Sequence, residues 1–167
     1  MLILGIDPGS RATGYGVISS SSGGGDISLV GSGVIRTDSS MSFISRLKTL
    51  YDGMDAVISR FKPDVAAVEE VFVARNAKSA LKLGHARAAV IMSALNRGLL
   101  VYEYTPLEIK KAVVGYGRAE KIQVQKMISI ILNLSTTPPK DASDALAVGV
   151  CHVHSARINR FMEVSAR

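Results

Sequence analysis

The feature that most restricts the fold is a short apolar run between two long amphipathic segments. From Val65 to Val68 the chain has no polar residue, and Glu69 follows directly. A strand with one solvent-exposed face alternates apolar and polar residues, whereas a parallel strand covered on both faces reads as a continuous apolar run. Because a helical pattern precedes and follows this run, the sequence predicts an α/β protein with helices on both faces of its sheet.

The other segments complete a mixed five-stranded sheet. Three strands are predicted first, at Leu2–Asp7, Thr13–Ser19 and Ile27–Thr37, and they form an antiparallel meander with three successive glycines in its second connection. The apolar run is the fourth strand and Leu99–Tyr104 the fifth. Helices are predicted from Ser42 to Phe61, Ala77 to Asn96, Pro106 to Lys111, Ala119 to Leu132 and Asp141 to Asn159. All 167 residues are assigned to one domain, in which residues 160–167 form a flexible tail.

The composition favours a protein that acts on a polyanion. The net charge is +6, which makes nucleic acid a natural partner without establishing it. The single cysteine, Cys151, cannot form an internal disulfide, so a reducing cytoplasm is the expected compartment. No run approaches the ~18 consecutive apolar residues of a membrane span, so no membrane partner is expected.

Four acidic residues stand at the ends of these elements. Asp7 ends the first strand and Glu69 the fourth, while Asp141 and Asp144 lie three apart on one face of the last helix. All four border segments that are predicted to be core, and burying unpaired carboxylates together is strongly unfavourable. A divalent cation removes that penalty, and hard oxygen ligands suit Mg²⁺ or Mn²⁺. An acidic, metal-binding centre in a basic chain indicates an enzyme acting on phosphodiesters.

Each acid also has a simpler interpretation. Asp7 begins a turn of turn-forming residues, and Asp141 can cap the last helix with Asp144 in its first turn. Glu69 and Glu70 are successive strand residues, so one of them faces each side of the sheet. The strand residues on both faces are apolar, so alternation does not decide which glutamate points to the site. Glu69 and Glu70 are nearly equal candidates. The joint occurrence of the acids at these element ends favours the metal site.

The segments around these acids resemble the RuvC-type Holliday-junction resolvases. The resemblance runs in order along nearly the whole chain, at residues 4–18, 69–72, 79–84, 113–115 and 141–147. It implies an RNase H-like fold and a metal-dependent endonuclease that cuts four-way DNA junctions as a homodimer, in recombination and repair. The implied products of its paired symmetric nicks carry 5′-phosphate and 3′-hydroxyl ends.

The same resemblance assigns residues to the site. The acidic tetrad falls on Asp7, Glu69, Asp141 and Asp144. This selects Glu69 over Glu70, where the family often has glutamine. Lys110 and Lys121 match family lysines near the scissile phosphate, although a solvated helix lysine is the simpler alternative for each. Two Mg²⁺ ions, for which Mn²⁺ can substitute, are the implied cofactors, and branch-migration helicase subunits are implied partners.

Further residues are candidates for DNA contacts. Phe72 matches a family aromatic that stacks on an unpaired base at the junction, with a buried strand-end phenylalanine as the alternative. The other candidates are Arg11, Arg75, Asn76, Lys78 and Lys82. An ordinary solvated face is the alternative for these. The small residues Gly84, Ala88 and Ala89 allow close helix approach, either within the chain or across a two-fold interface.

Three other functions compete with a junction resolvase. An actin-like or sugar-kinase-like ATPase shares the strand order but needs two such domains around a nucleotide, and 167 residues supply one. Another RNase H-like nuclease, acting on RNA, would share the acidic centre. A non-catalytic junction-binding protein has no use for an acidic centre that repels phosphates.

Overall fold

The computed structural model describes residues 1–21, 25–70 and 76–165, with side chains as far as residue 156. The strands are β1 (Leu2–Asp7), β2 (Ala12–Ser20), β3 (Ile27–Arg36), β4 (Val65–Glu69) and β5 (Leu100–Tyr104). The helices are α1 (Phe43–Phe61), α2 (Ala77–Asn96), α3 (Pro106–Val114), α4 (Lys121–Ile131) and α5 (Lys140–Ser165). None of the helices in these ranges is long and apolar enough to cross a membrane.

The strands form one mixed sheet in the order β3-β2-β1-β4-β5. β1, β2 and β3 pair antiparallel as a meander, and β4 and β5 extend the sheet in parallel beside β1. Helices α1 and α2 provide the crossovers before β4 and β5. The prediction of a five-stranded mixed sheet is confirmed, and the structure adds that the first and fourth strands are neighbours.

Each face of the sheet is covered by its own apolar core. The α1–α2 core packs Leu50, Met54 and Val90 against one face of β1 and β4. The α5 core packs Ile128 of α4 and Leu146 of α5 on the other face. A strand between two cores can expose neither face, which is why β4 has an unbroken apolar sequence.

Polar caps and a proline fix where the helices begin. Ser42 caps α1 by accepting a hydrogen bond from the Ser45 N–H at 3.1 Å. α3 starts with Pro106 behind a capping box, in which Thr105 and Glu108 satisfy each other's free backbone N–H groups. These side chains replace hydrogen bonds that the first turn of a helix cannot make internally.

Most element boundaries agree with the prediction to within two residues, and α3 and α5 are the exceptions. α3 continues to Val114, three residues beyond Lys111, because the left-handed conformation that ends it falls at Gly115. α5 begins at Lys140, so Asp141 lies in its first turn rather than at its cap, and it is helical through residues 160–165. That residues 160–167 form a flexible tail stays a prediction.

Candidate active site

Asp7 and Glu69 lie side by side at the carboxyl ends of two neighbouring parallel strands. The register of β1 and β4 matches Ile6 with Val68, so the residues that follow stand opposite each other. Opposed residues of a parallel pair point to the same face of the sheet, on strands about 4.8 Å apart. Two carboxylates are therefore held close together by backbone pairing alone.

The alternation of side chains along β4 distinguishes the two successive glutamates. Ala67 belongs to the α5 core, whereas Val68 belongs to the α1–α2 core. Because side chains alternate along a strand, Glu69 faces α5 and Glu70 faces away from it. The structure thus places Glu69, and not Glu70, on the face where Asp7 and the aspartates of α5 lie.

Glycines in the strands allow α5 to lie directly on the sheet. A Cβ atom on Gly5 would overlap the backbone of Ala145, and one on Gly14 would overlap the backbone carbonyl of Asp141. No other residue type permits so close an approach of helix and strand backbones. The first turns of α5, which carry Asp141 and Asp144, therefore reach the end of β1. The sequence interpretation missed this contribution of the glycines, although glycines within apolar strands are a visible signal for it.

Burial and mutual repulsion make these carboxyl groups hard to ionise together. The pKa of Asp7 is raised to about 8, first by burial and then by the charges of Glu69 and Asp144. The pKa of Glu69 is also raised, by burial and by Asp144, although Lys121 and Lys110 oppose this. The raised pKa of Asp7 favours its protonated form at neutral pH in the metal-free protein.

The acidic residues fit an oxygen-preferring divalent cation. In the described ranges, no group of three or more His, Cys, Asp or Glu side chains is already arranged to hold a metal ion. Yet Asp7, Glu69 and Asp144 are close enough to repel one another, and a cation among them offsets that repulsion. All of their donors are carboxylate oxygens, the ligands that Mg²⁺ and Mn²⁺ prefer. Binding of a cation requires Asp7 to be ionised, because a carboxylate and not a carboxylic acid is the metal ligand.

Glu69 and Asp144 line a cleft that also contains two lysines. Its lining consists of Glu69, Pro106, Ile109, Lys110, Lys121, Val124, Asp144 and Ala147. The Nζ atom of Lys121 lies 3.5 Å from Oδ2 of Asp144, and its side chain is 68% exposed. An exposed ammonium group beside the acids can bind an anionic substrate at the entrance of the cleft. The structure thus brings both predicted lysines to the acidic centre.

Two residues that the sequence interpretation did not single out shape the turn after Asp7. The buried Thr13 hydroxyl accepts a hydrogen bond from the Gly9 N–H at 3.2 Å and donates one to the Gly9 carbonyl at 3.1 Å. Arg46 of α1 donates from Nη2 to the carbonyl of Ser10. These bonds hold the connection from β1 to β2, and with it the position of Asp7.

The predicted DNA contacts have mixed structural settings. Arg11 and Lys78 are exposed, and Lys82 is partly buried with Nζ 5.6 Å from the ring centre of Phe43. Asn76 caps α2 by accepting a hydrogen bond from the Ser79 N–H at 2.8 Å. Phe72 and Arg75 lie outside the described residues.

The cysteine and the two histidines of α5 have packing roles. Cys151 is fully buried, and burial raises its pKa to about 12, so its thiol stays protonated at neutral pH. The Nδ1 atom of His152 lies 2.8 Å from the Tyr104 hydroxyl, and Nδ1 of His154 lies 2.9 Å from the carbonyl of Ala112. These contacts place the two histidines in the packing around α5.

Comparisons with known proteins agree with this architecture. Residues 3–152 match the family described as "Crossover junction endodeoxyribonuclease RuvC". Proteins of that name from Citrifermentans bemidjiense and Geobacter sp. are similar to this chain. The first is 55% identical over 95% of this chain and 96% of its own, and the second is 53% identical over 98% of each. The structure of Thermus thermophilus RuvC in complex with Holliday junction substrate is also similar, with a TM-score of 0.89 and 35% identity over 95% of this chain and 96% of that one.

Proposed function

Since the chain belongs to the family of RuvC crossover junction endodeoxyribonucleases, we propose that it resolves four-way DNA junctions by paired, symmetric nicks. The nicks leave 5′-phosphate and 3′-hydroxyl ends, which a ligase can seal during recombination and repair. The observation that carries the proposal is the pairing of Asp7 and Glu69 on the α5 face, beside Asp144 and two cleft lysines. Residues 1–167 act together as one nuclease domain.

The acidic tetrad forms the metal site in this proposal. The ligands are Asp7, Glu69, Asp141 and Asp144. Nucleases of this family are metal-dependent, and the all-oxygen donor set favours two Mg²⁺ ions, with Mn²⁺ able to substitute. When bound, the ions lower the pKa of the attacking water and offset charge on the leaving oxygen. Glu69 and Asp7 contribute from adjacent strands, so their separation is set by the sheet.

The lysines of the cleft act on the phosphate. Water attacks phosphorus, the bond from phosphorus to the 3′ oxygen breaks, and the 5′ phosphate remains on the other fragment. Lys110 and Lys121 bind non-bridging oxygens of the scissile phosphate and stabilise the negative charge that builds up there. The 3.5 Å separation of Lys121 Nζ from Asp144 supports a position at the reacting centre.

Residues outside the cleft lining hold the arms of the junction. Arg11, Lys78 and Lys82 contact phosphates, and Arg75 and Asn76 are further proposed DNA contacts. The exposure of Arg11 and Lys78 supports these proposed DNA contacts, as does the family resemblance of the surrounding segments. Phe72 stacks on an unpaired base at the junction centre.

A homodimer supplies the second cut. Three large apolar side chains of α2 are exposed: Leu81 at 65%, Met92 at 48% and Leu95 at 48%. They are spaced by eleven and three residues, which places them along one side of the helix with the small residues Gly84 and Ala88 near them. A second copy of the chain, related by a two-fold axis, covers this side and places two active sites on one junction.

The cellular compartment and the partner proteins follow from the proposed substrate. Chromosomal DNA junctions place the enzyme in the cytoplasm, where the buried, reduced Cys151 needs no disulfide partner. Branch-migration helicase subunits are the partners that the family resemblance supports.

Junction cleavage tests the proposal directly. The purified protein is incubated with a labelled mobile four-way junction and with the matching linear duplex, in Mg²⁺ or in EDTA. Paired nicks in the junction alone, and only with metal, are expected. Absence of cleavage across varied junction sequences in both Mg²⁺ and Mn²⁺ would contradict the proposal, and RNA–DNA hybrids and ATP would then be tested as substrates.

A further inference from the structure

We propose that Arg87 of α2 is a positioning residue, which fixes the strand end that presents Glu69 to the cleft. Its role in the reaction rests on the proposed function, in which Glu69 is a metal ligand. Arg87 touches neither the substrate nor the acidic side chains, and it acts through the backbone of Glu69.

The guanidinium of Arg87 joins three elements. Its Nε donates to the backbone carbonyl of Glu69 at 3.2 Å, and its Nη2 donates to Oε2 of Glu103 at 2.6 Å. The first contact reaches the end of β4 and the second reaches β5. The Arg87 side chain is only 21% exposed, so its surroundings limit its movement.

The Glu69 carbonyl needs a donor from outside the sheet. The Glu70 N–H bonds to Tyr104 of β5, so the carbonyl of the preceding residue, Glu69, points the other way, toward β1. The register of Ile6 with Val68 makes residue 8 the next donor on β1, and residue 8 is Pro8, which has no N–H. Arg87 therefore supplies the hydrogen bond that the ladder cannot make.

This hydrogen bond acts at the end of β4, where the position of the Glu69 side chain is set. A strand end whose last carbonyl is unpaired can rotate about its final backbone bonds, and the Glu69 side chain would move with it. Residues that orient a metal ligand from behind typically contribute ~10- to 100-fold to metal affinity or activity. The ion pair between Arg87 and the 47% exposed Glu103 adds little stability, so its main effect is to orient the guanidinium.

The same helix offers a matched control. Arg97, at the end of α2, pairs with Asp55 of α1 through hydrogen bonds of 2.5 and 2.6 Å. Arg97→Ala and Arg87→Ala each remove an ion pair between an arginine on, or at the end of, α2 and a carboxylate of another element. Only Arg87→Ala also removes a hydrogen bond to the backbone of a proposed metal ligand.

The experiment compares Arg87→Ala, Arg87→Lys and Arg97→Ala with the wild type. Amide hydrogen exchange of the segment 65–70 is measured without metal, and kcat, KM for the junction and the Mg²⁺ concentration for half-maximal cleavage are measured with it. Arg87→Ala is expected to exchange faster in this segment, to lose roughly 10- to 100-fold in kcat or Mg²⁺ affinity, and to keep its KM for DNA. Arg87→Lys, which keeps one donor, loses less, and Arg97→Ala retains wild-type exchange, kcat and Mg²⁺ dependence.

Two results would overturn the proposal. One is unchanged exchange and cleavage in Arg87→Ala, and the other is an equal loss of kcat in Arg97→Ala, which would indicate general destabilisation. The exchange measurement does not depend on activity. If the wild type cuts no junction, the proposed function fails, while the exchange rates still decide whether Arg87 fixes the strand end.

Discussion

At the scale of single residues, Asp7 shows how a functional carboxylate can work against the stability of the fold. Its folded-state pKa of about 8 lies far above the ordinary value of 3.8. The unfolded chain loses this proton near pH 4, and the metal-free folded chain retains it to about pH 8. Between these values the folded state binds more protons, so stability falls as the pH rises.

Asp7→Asn should therefore stabilise the metal-free protein. Asparagine cannot ionise, so its advantage is largest at about pH 8 and disappears near pH 4, where Asp7 is protonated in both states. Thermal unfolding in EDTA across this range measures the difference, which we expect to be on the order of 10 °C at the alkaline end. Identical unfolding temperatures at pH 8 would mean that burial of Asp7 has no electrostatic cost.

The same substitution should abolish cleavage and spare binding. Asparagine removes a charged metal ligand but leaves the basic surface intact. Gel-shift titration with a four-way junction in EDTA should give an affinity close to that of the wild type, while no nicks form in Mg²⁺. An active Asp7→Asn enzyme would disprove the tetrad as the metal site.

Lys121→Ala should weaken catalysis more than junction binding. The ammonium group lies beside Asp144 in the cleft, where the proposed mechanism places the reacting phosphate. Since it is largely exposed, we expect a loss in kcat of about 10-fold, below the ~10²- to 10³-fold of a buried oxyanion donor. Lys126→Ala, an exposed lysine of the same helix outside the cleft lining, is the control. Equal losses in kcat and affinity would make Lys121 an ordinary phosphate contact.

At the scale of elements, the contact between α5 and the sheet decides whether the four acids meet. Asp7 and Glu69 belong to paired strands, but Asp141 and Asp144 come from a helix more than seventy residues further along the chain. Glycines at the crossing permit the close approach of the α5 backbone to the strands. The apolar pattern predicted that β4 is a parallel strand covered on both faces, whereas its pairing with β1 and the helix–sheet distance depend on tertiary contacts.

Gly5→Ala should separate α5 from β1. The added methyl group would overlap the backbone of Ala145, which cannot rotate away as a flexible side chain can. Overpacking of this kind typically costs ~1–3 kcal/mol, and we expect a lower unfolding temperature. Cleavage should fall further than the loss of folded protein explains, because Asp141 and Asp144 move away from Asp7. Wild-type stability together with wild-type cleavage would contradict the glycine contact.

At the scale of the whole molecule, the proposed dimer interface and the proposed active site share helix α2. Leu81, Met92 and Leu95 lie on the helix that also carries Arg87. A second copy that covers this side would therefore pack on the element that holds Glu69. The assembly that pairs the two cuts would at the same time stabilise each site.

Leu81→Glu should convert a dimer into a monomer. A charge in place of a central apolar contact is unfavourable once water is excluded. Light scattering after size-exclusion chromatography should show twice 17.7 kDa for the wild type and 17.7 kDa for the variant. Junctions cut by the variant should carry unpaired nicks. Ile130→Glu on α4, where the isoleucine is 70% exposed, is the control. A dimeric Leu81→Glu variant would place the interface elsewhere.

The sequence by itself determined the order of the strands and helices and the position of an acid at each critical end. Local patterns carry this information, because helix period, apolar runs and caps depend on near neighbours. The tertiary structure gave the physical reason for preferring Glu69 to Glu70, which the apolar pattern left open and only the family resemblance had decided, since the face of a strand residue follows from register and core. It alone brought α5 close to β1, and it revealed that Arg87 supplies the donor that Pro8 lacks. These are contacts between residues distant in sequence, and no local pattern encodes them.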